Sequence, residues 1–229
     1  MKNKIILAFV ILLAASPACS FSGQNQPSIS SPTAPSAATF TEIPPTTTFT
    51  PIPTITPIPE TIVFDFAAQL CNAKWMNGGQ KFASCPDPSS DHSAGYAVLL
   101  DPATEGLPAG TPVLLTIPAW NGFAALFLRY PALTVQAGDH FRATLRCQTG
   151  TTDCDVEFAL EYYDSSGTYH SPFASWKQNS GMPPTHVDYD LSALAGQNVD
   201  FVLILRPNNN TPQLDLGLWI APQIYRVGP

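Results

Sequence analysis

Two groups of side chains in this sequence could catalyse a reaction or bind a ligand. They are the histidines with the carboxylates, and the aromatic rings. The histidines do not show the H-E-x-x-H spacing of zinc enzymes, and no G-x-S-x-G turn is present for a serine nucleophile. Carboxylates alternate along candidate strands, as in Glu157 with Glu161 and Asp188 with Asp190. Acids spaced in this way are usually the solvated face of a strand rather than the pair that hydrolyses a glycoside. We therefore expect no catalytic residues and no enzyme activity.

Exposed aromatic rings are the remaining functional candidates, because they can stack on the apolar C–H face of a sugar. Trp120 lies in the turn-like stretch PAWNGF, and Trp176 ends a candidate strand before the polar loop KQNSGMPP. Tyr169 stands near the start of that strand, and Trp75 lies in the loop between the first two cysteines of the domain. Trp219, in the last strand, is expected in the core, since most Trp side chains are largely buried.

Elements that position these rings must be strands, because short runs of β-branched and aromatic residues recur between Gly, Pro, Asn and Asp. In one run Val156, Phe158, Leu160 and Tyr162 alternate with acidic residues, which is typical of a half-buried strand. The stretch LSALAGQ, residues 191–197, predicts one helical turn closed by Gly196. About ten such strands predict an all-β fold, an antiparallel β-sandwich.

The C-terminal stretches DYDLSALAGQNVDFVLIL and DLGLWIAPQI resemble the closing half of galactose-binding-like jelly-roll domains, a common type of carbohydrate-binding module. More loosely, WMNGG, the LTIP run and VQAGDHF resemble surface domains of bacterial lipoproteins. The resemblance implies a jelly roll and carbohydrate as the partner. We expect no cofactor, although the resemblance allows a structural calcium ion, for which we assign no ligands. Asp65 and Asp215 could come together if the first and last strands are neighbours; the alternative is that both are surface residues.

Five cysteines are present, and four of them follow residue 60. Cys147 and Cys154 flank a turn-like loop, which predicts a disulfide across a hairpin, and Cys71 and Cys85 would then close a second loop. A four-thiolate zinc site is the rival interpretation, but it requires paired C-x₂₋₄-C spacings that this chain does not contain.

The first 60 residues indicate export. Lys2 and Lys4 precede a short apolar run, which predicts a signal peptide over residues 1–18. Cys19 then resembles the lipidated cysteine of the bacterial lipobox, although Ser16 and Pro17 depart from that motif; plain secretion is the alternative. Residues 19–60 are rich in Pro, Thr and Ser, which predicts a disordered, semi-rigid spacer. The expected location is the outer face of the cell membrane, with Cys19 as the anchor, or the medium.

The predicted domain, residues 61–229, holds eight Lys or Arg and fifteen Asp or Glu. This acidic balance argues against nucleic acid as a partner and is compatible with neutral sugars, cations or basic proteins. The sequence thus predicts a non-catalytic module that binds carbohydrate or a cell-surface polymer, with Trp120, Trp176, Tyr169 and Trp75 as candidate contacts. The alternative is a structural or adhesive surface protein that binds other proteins.

Overall fold

A computed structural model describes residues 59–77, 80–81, 85, 92–120 and 125–228. The predicted signal peptide, Cys19 and nearly all of the predicted linker lie outside these residues. Thirteen β-strands are present in the described part of the chain. They are β1 (Glu60–Asp65), β2 (Lys74–Asn77), β3 (Gln80–Lys81), β4 (Tyr96–Leu99), β5 (Val113–Ile117), β6 (Leu126–Arg129), β7 (Leu133–Thr134), β8 (Asp139–Cys147), β9 (Asp155–Tyr163), β10 (Tyr169–Asn179), β11 (Thr185–Asp190), β12 (Asn198–Pro207) and β13 (Gly217–Val227).

Two antiparallel sheets contain these strands. One sheet has the order β11-β8-β13-β5-β4, with β1 beside the second half of β13, and the other has the order β10-β9-β12-β6-β2-β3, with β7 beside β12. Eight of the strands form two interlocked sets, β5-β13-β8-β11 and β6-β12-β9-β10, between which the chain passes back and forth. This connectivity is that of a jelly roll, so the predicted β-sandwich is confirmed.

Apolar side chains from the inner faces of both sheets form the main core. The alternation predicted for β9 is confirmed, since Val156, Phe158 and Leu160 are buried in this core. Trp219, which the sequence placed in the core, is fully buried and packs its ring edge-on against Phe158 at 4.8 Å. Because side chains alternate along a strand, the residues that face the core also determine which residues face solvent.

The last strand, β13, contains a bulge. β13 continues through Pro222 because the register shifts between Ile220 and Gln223, and Ala221 adopts a positive φ of 49° at this bulge. The predicted helical turn is a 3-10 helix, Ser192–Leu194, followed by Gly196 with φ 83°. Within the described residues, no helix has the length and apolar character needed to cross a membrane.

Both predicted disulfides are present, Cys71–Cys85 and Cys147–Cys154. The second closes the hairpin between β8 and β9, as its spacing indicated. The first ties the segment that follows β1 to Cys85. Each closes a short loop, which stabilises the fold by about 2–3 kcal/mol in the chain-entropy account.

Candidate functional site

Trp75 does not reach the surface, so its predicted role in ligand binding is wrong. Only 2 % of the residue is exposed, because β2 directs this ring into the core. Its indole N–H donates to the carbonyl of Leu70 at 3.3 Å, and its ring meets Tyr96 edge-on. A buried Trp with its polar atom satisfied in this way is a packing residue.

Trp176 is half-buried and also takes part in packing. It lies opposite Phe158 in the pairing of β10 with β9, so it points toward the core. Its ring lies 6.1 Å from that of Phe141 in a stacked arrangement and 6.2 Å from that of Tyr189 edge-on. These contacts explain its position without a ligand.

Trp120 and Tyr169 are the two predicted aromatics that remain exposed, with 40 % and 38 % of each residue accessible. They are not part of one site. Trp120 follows β5 near the end of the sandwich where β9 begins, whereas Tyr169 pairs with Tyr163 where β9 ends. Nine residues of strand span about 30 Å, so the two rings cannot contact one small ligand together.

Tyr169 is the outermost of three stacked groups. Its ring lies 4.8 Å from the ring of Tyr163 at an interplanar angle of 30°, and the guanidinium carbon of Arg129 lies 3.8 Å from the centroid of Tyr163. The three side chains come from β10, β9 and β6, and they share the outer surface of the seven-stranded sheet. We call this surface the tyrosine face and define it by Tyr163, Tyr169, Arg129, Asp200, Glu161 and Arg206.

A buried carboxylate holds Tyr169 in place. The phenol donates to Glu161, whose side chain is 1 % exposed, and Glu161 also accepts from Ser171 at 2.9 Å and from Arg206 at 2.6 Å. Arg206 donates in addition to Glu157 at 3.0 Å. An exposed ring that is fixed in this way loses little conformational entropy when a ligand stacks on it.

The turn before β10 positions Tyr169 from the other side. Asp164 accepts hydrogen bonds from the backbone N–H of Ser166 at 2.9 Å and of Thr168 at 3.0 Å, which is the local turn that the sequence DSSGT favours. His170 contacts the same carboxylate at 2.8 Å and stacks on Tyr162 at 4.5 Å. The hydrogen bond from His170, together with those of Ser166 and Thr168, holds the pKa of Asp164 well below its usual range.

A cavity of about 300 Å³ adjoins the stack on its far side and includes Arg129 and Asp200. Its other lining residues are Asn72, Lys74, Tyr130, Pro131 and Ala132. Arg129 donates to the same oxygen of Asp200 through Nη2 at 2.5 Å and through Nε at 2.8 Å. Backbone pairing places Lys74 opposite Arg129, so polar groups extend from Tyr169 across five neighbouring strands, about 19 Å at ordinary strand spacing.

This row combines an exposed ring, guanidinium donors, carboxylate acceptors and an amide, which together suit the C–H faces and hydroxyls of a glycan. Sequence reasoning identified Tyr169 but missed Tyr163, Arg129 and Asp200 as its neighbours. The alternation of β9 already places Tyr163 on the same face as Glu161. The pairing of β12 with β6, which brings Asp200 near Arg129, has no such local signal.

The remaining acidic candidates serve structural contacts. Glu157 and Glu161 share Arg206, and Asp188 accepts hydrogen bonds from Tyr225 and Arg142. Asp65 and Asp215 do not come together as the calcium expectation required, because Asp65 pairs with Gln223 and Asp215 precedes the opposite end of β13. In the part of the chain that the structure describes, no three His, Cys, Asp or Glu side chains are grouped to hold a metal ion.

Comparison with known proteins gives matches to solved structures alone. No protein-family model and no curated protein matches this sequence. The CBM22-1–GH10 modules of Clostridium thermocellum xylanase 10B, solved with xylohexaose, align with a TM-score of 0.42 and 11 % identity over 73 % of this chain. This chain spans 28 % of that structure.

Two smaller structures are matched over nearly their whole length. TmCBM61 in complex with β-1,4-galactotriose aligns with a TM-score of 0.42 and 12 % identity, over 71 % of this chain and 94 % of its own. The CBM22-1 xylan-binding domain of Paenibacillus barcinonensis Xyn10C aligns with a TM-score of 0.41 and 14 % identity, over 77 % and 99 %. Scores at this level do not assign a ligand to this chain, whose jelly roll is established by its own strand order.

Proposed function

We propose that this protein is a non-catalytic carbohydrate-binding module and that the glycan binds on the tyrosine face. The observation that carries the proposal is Tyr169, a large aromatic ring that is exposed to solvent and yet fixed through its phenol to the buried carboxylate of Glu161. A ring that is exposed to solvent and held through its hydroxyl group is suited to stacking on a sugar. Arg129, Asp200 and Asn72 would bond the hydroxyls of the next residues of the glycan.

The polar groups of the face support binding rather than catalysis. Glycoside hydrolysis needs one carboxyl group that keeps a proton and a second that stays ionised. Here Glu157 and Glu161 are both ion-paired to Arg206, and Asp200 is ion-paired to Arg129. Each of the three carboxylates is therefore occupied by a guanidinium group of the protein rather than free to act on a substrate.

We also propose that the domain is exported and is held at the cell surface through Cys19. The sequence pattern of residues 1–20 suggests this location. The disulfides Cys71–Cys85 and Cys147–Cys154 support it, because such bonds persist in oxidising compartments. Metabolic labelling with a palmitate analogue would test the anchor: Cys19→Ala should abolish the label, and a labelled Cys19→Ala protein would contradict the proposal.

Binding of the purified protein to a broad panel of oligosaccharides and polysaccharides, with and without calcium, tests the function. We expect at least one glycan to bind, and Tyr169→Ala to weaken that binding about tenfold, or about 1.4 kcal/mol. Trp120→Ala is the matched control, because Trp120 is equally exposed but lies at the other end of the sandwich. No binding across the panel, or equal losses in both variants, would contradict the proposal. The first outcome would favour a protein-binding surface.

A further inference from the structure

Both arginines of the tyrosine face are already matched by carboxylates. Arg129 and Asp200 form an ion pair at 2.5 Å in which both side chains are about three-quarters buried. Arg206 lies between Glu157 at 3.0 Å and Glu161 at 2.6 Å. The face is thus rich in charged groups, but its guanidinium charges are neutralised within the protein.

This pairing bears on which sugars can bind. A guanidinium group recognises the carboxylate of a uronic acid, or a sulfate, through two parallel N–H bonds, and it does so best when those donors are unoccupied. An acidic sugar beside Arg129 would also approach the negative charge of Asp200, which repels it. A neutral sugar meets neither difficulty, because hydroxyl groups can donate to carboxylate oxygens and accept from the N–H groups that the ion pairs leave free.

Lys74 also lines the cavity, and this cationic side chain is not part of the two arginine ion pairs described above. It lies opposite Arg129 in the strand pairing and is exposed to solvent. A single solvated ammonium group contributes little to the binding of an anion, because water screens it and its long side chain must be ordered. Arg129 is partly buried and stacked on Tyr163, so its state of pairing is the stronger influence on ligand charge.

We infer that the tyrosine face selects uncharged glycans over uronic-acid and sulfated glycans, and that Asp200 determines this selectivity by neutralising Arg129. The inference rests on the proposed function, since it names the class of ligand for the same site. Asp200 is then a specificity residue. Its removal should allow acidic glycans to bind and should weaken the binding of uncharged glycans.

Pairs of polysaccharides that differ in one group, a carboxylate in one member and the hydroxymethyl group obtained by reducing it in the other, test the inference. Native and carboxyl-reduced polygalacturonate, and native and carboxyl-reduced hyaluronan, would be titrated calorimetrically into the purified protein and its Asp200→Asn variant. We expect the unmodified protein to prefer the reduced form of a pair. Asp200→Asn should bind the native, acidic form about tenfold more tightly than the unmodified protein does, because Arg129 is then unmatched. Added salt should diminish that gain.

Asp188→Asn is the matched control, because it removes the same charge next to an arginine, Arg142, on the opposite sheet. An equal gain in Asp188→Asn would show a general effect of net charge and would overturn the inference. So would a Tyr169-dependent preference of the unmodified protein for the acidic forms, although the proposed function would then stand. If neither the protein nor Asp200→Asn bound any member of the pairs, the inference would be contradicted, whereas the proposed function would still be decided by the glycan panel and Tyr169→Ala.

Discussion

The two outer faces of the sandwich carry the same three groups in opposite arrangements. On the tyrosine face, Tyr169 donates to Glu161, which also accepts from Arg206; on the other sheet, Tyr225 donates to Asp188, which also accepts from Arg142. Tyr169 is 38 % exposed over a carboxylate that is 1 % exposed. Tyr225 is 4 % exposed, whereas the side chain of Asp188 is 50 % exposed.

This inversion distinguishes the proposed binding arrangement on one face from a structural arrangement on the other. Arg142 lies over the ring of Tyr225 at 3.7 Å and extends to Glu60, the first residue of β1, at 2.8 Å, so this group joins β1 to the body of the sheet. On the tyrosine face the buried carboxylate and its arginine form the base, and the ring is left facing solvent. The same chemistry therefore stabilises the fold in one place and forms the proposed ligand surface in the other.

The largest effect is expected on the structural side. Tyr225→Ala should lower the free energy of unfolding by about 3 kcal/mol, because it leaves a cavity beneath Arg142 and removes a hydrogen bond to Asp188. Tyr225→Phe keeps the ring and should cost about 1 kcal/mol. Chemical denaturation measures both, and glycan binding of the folded variants should be unchanged. Loss of binding with little loss of stability would reverse the assignment of the two faces.

The next largest effect is expected as a difference in stability cost between removing Glu161 and removing Asp188. Glu161→Ala removes a buried charge that three side chains share, and we expect it to cost about 2 kcal/mol and to weaken glycan binding because Tyr169 is no longer held. Asp188→Ala removes a half-exposed charge and should cost about 1 kcal/mol or less, without a change in binding. Denaturation and calorimetry on both variants decide this point, and equal costs would mean that burial does not distinguish the faces.

Asp215 is a buried carboxylate that has no arginine partner among the residues the structure describes. Burial above all, together with the carboxylates of Asp155 and Asp153, raises the pKa of Asp215 to about 6. Because the folded state holds this proton more tightly than the unfolded state, the stabilisation is complete below about pH 4 and is lost as the pH rises through about 6. The stability of the protein relative to Asp215→Asn should therefore fall by about 1–2 kcal/mol between pH 4 and pH 7. Parallel stability curves would contradict this account.

The smallest effect is expected at Glu60, where β1 meets Arg142. The hydrogen bond from Arg142 holds the pKa of Glu60 below its usual range. Such a group stabilises the fold above the pKa of the unfolded chain, and its contribution is lost as the pH falls through the folded value. Glu60→Gln should therefore show a shallower loss of stability on acidification below about pH 4 than the unmodified protein. Identical acid transitions in the two proteins would show that Arg142 does not hold β1 through this pair.

Local patterns in the sequence predicted much of this fold. The alternation in β9, the turn before Gly196 and the cysteine spacings each concern residues close in sequence, and the structure confirms all three. The strands β3 and β7 were not predicted, because two residues are too few to show a period. The strand β2 was not predicted either, since the sequence analysis placed its residues in a loop between two cysteines. The expectation that Trp75 is exposed was wrong for this reason, because its inward direction follows from β2.

The candidate site depends on pairings between distant parts of the chain, which no local pattern encodes. Arg129 and Asp200 are 71 residues apart, and Arg206 and Glu161 are 45 apart. Tyr169 was identified from its residue type and its place near the start of a candidate strand. What distinguishes it from Trp176 in the same strand is the face of β10 from which each side chain projects. Register between strands, rather than composition, therefore determines which aromatic ring is left exposed.

An NMR titration of the protein with a glycan that it binds tests the central claim most directly. The account predicts that the largest chemical-shift changes fall on Tyr169, Tyr163, Arg129 and Asp200, and that signals of Tyr225 and Trp120 stay unchanged. Changes centred on Trp120, or on Tyr225 and its sheet, with the tyrosine face unaffected, would contradict it.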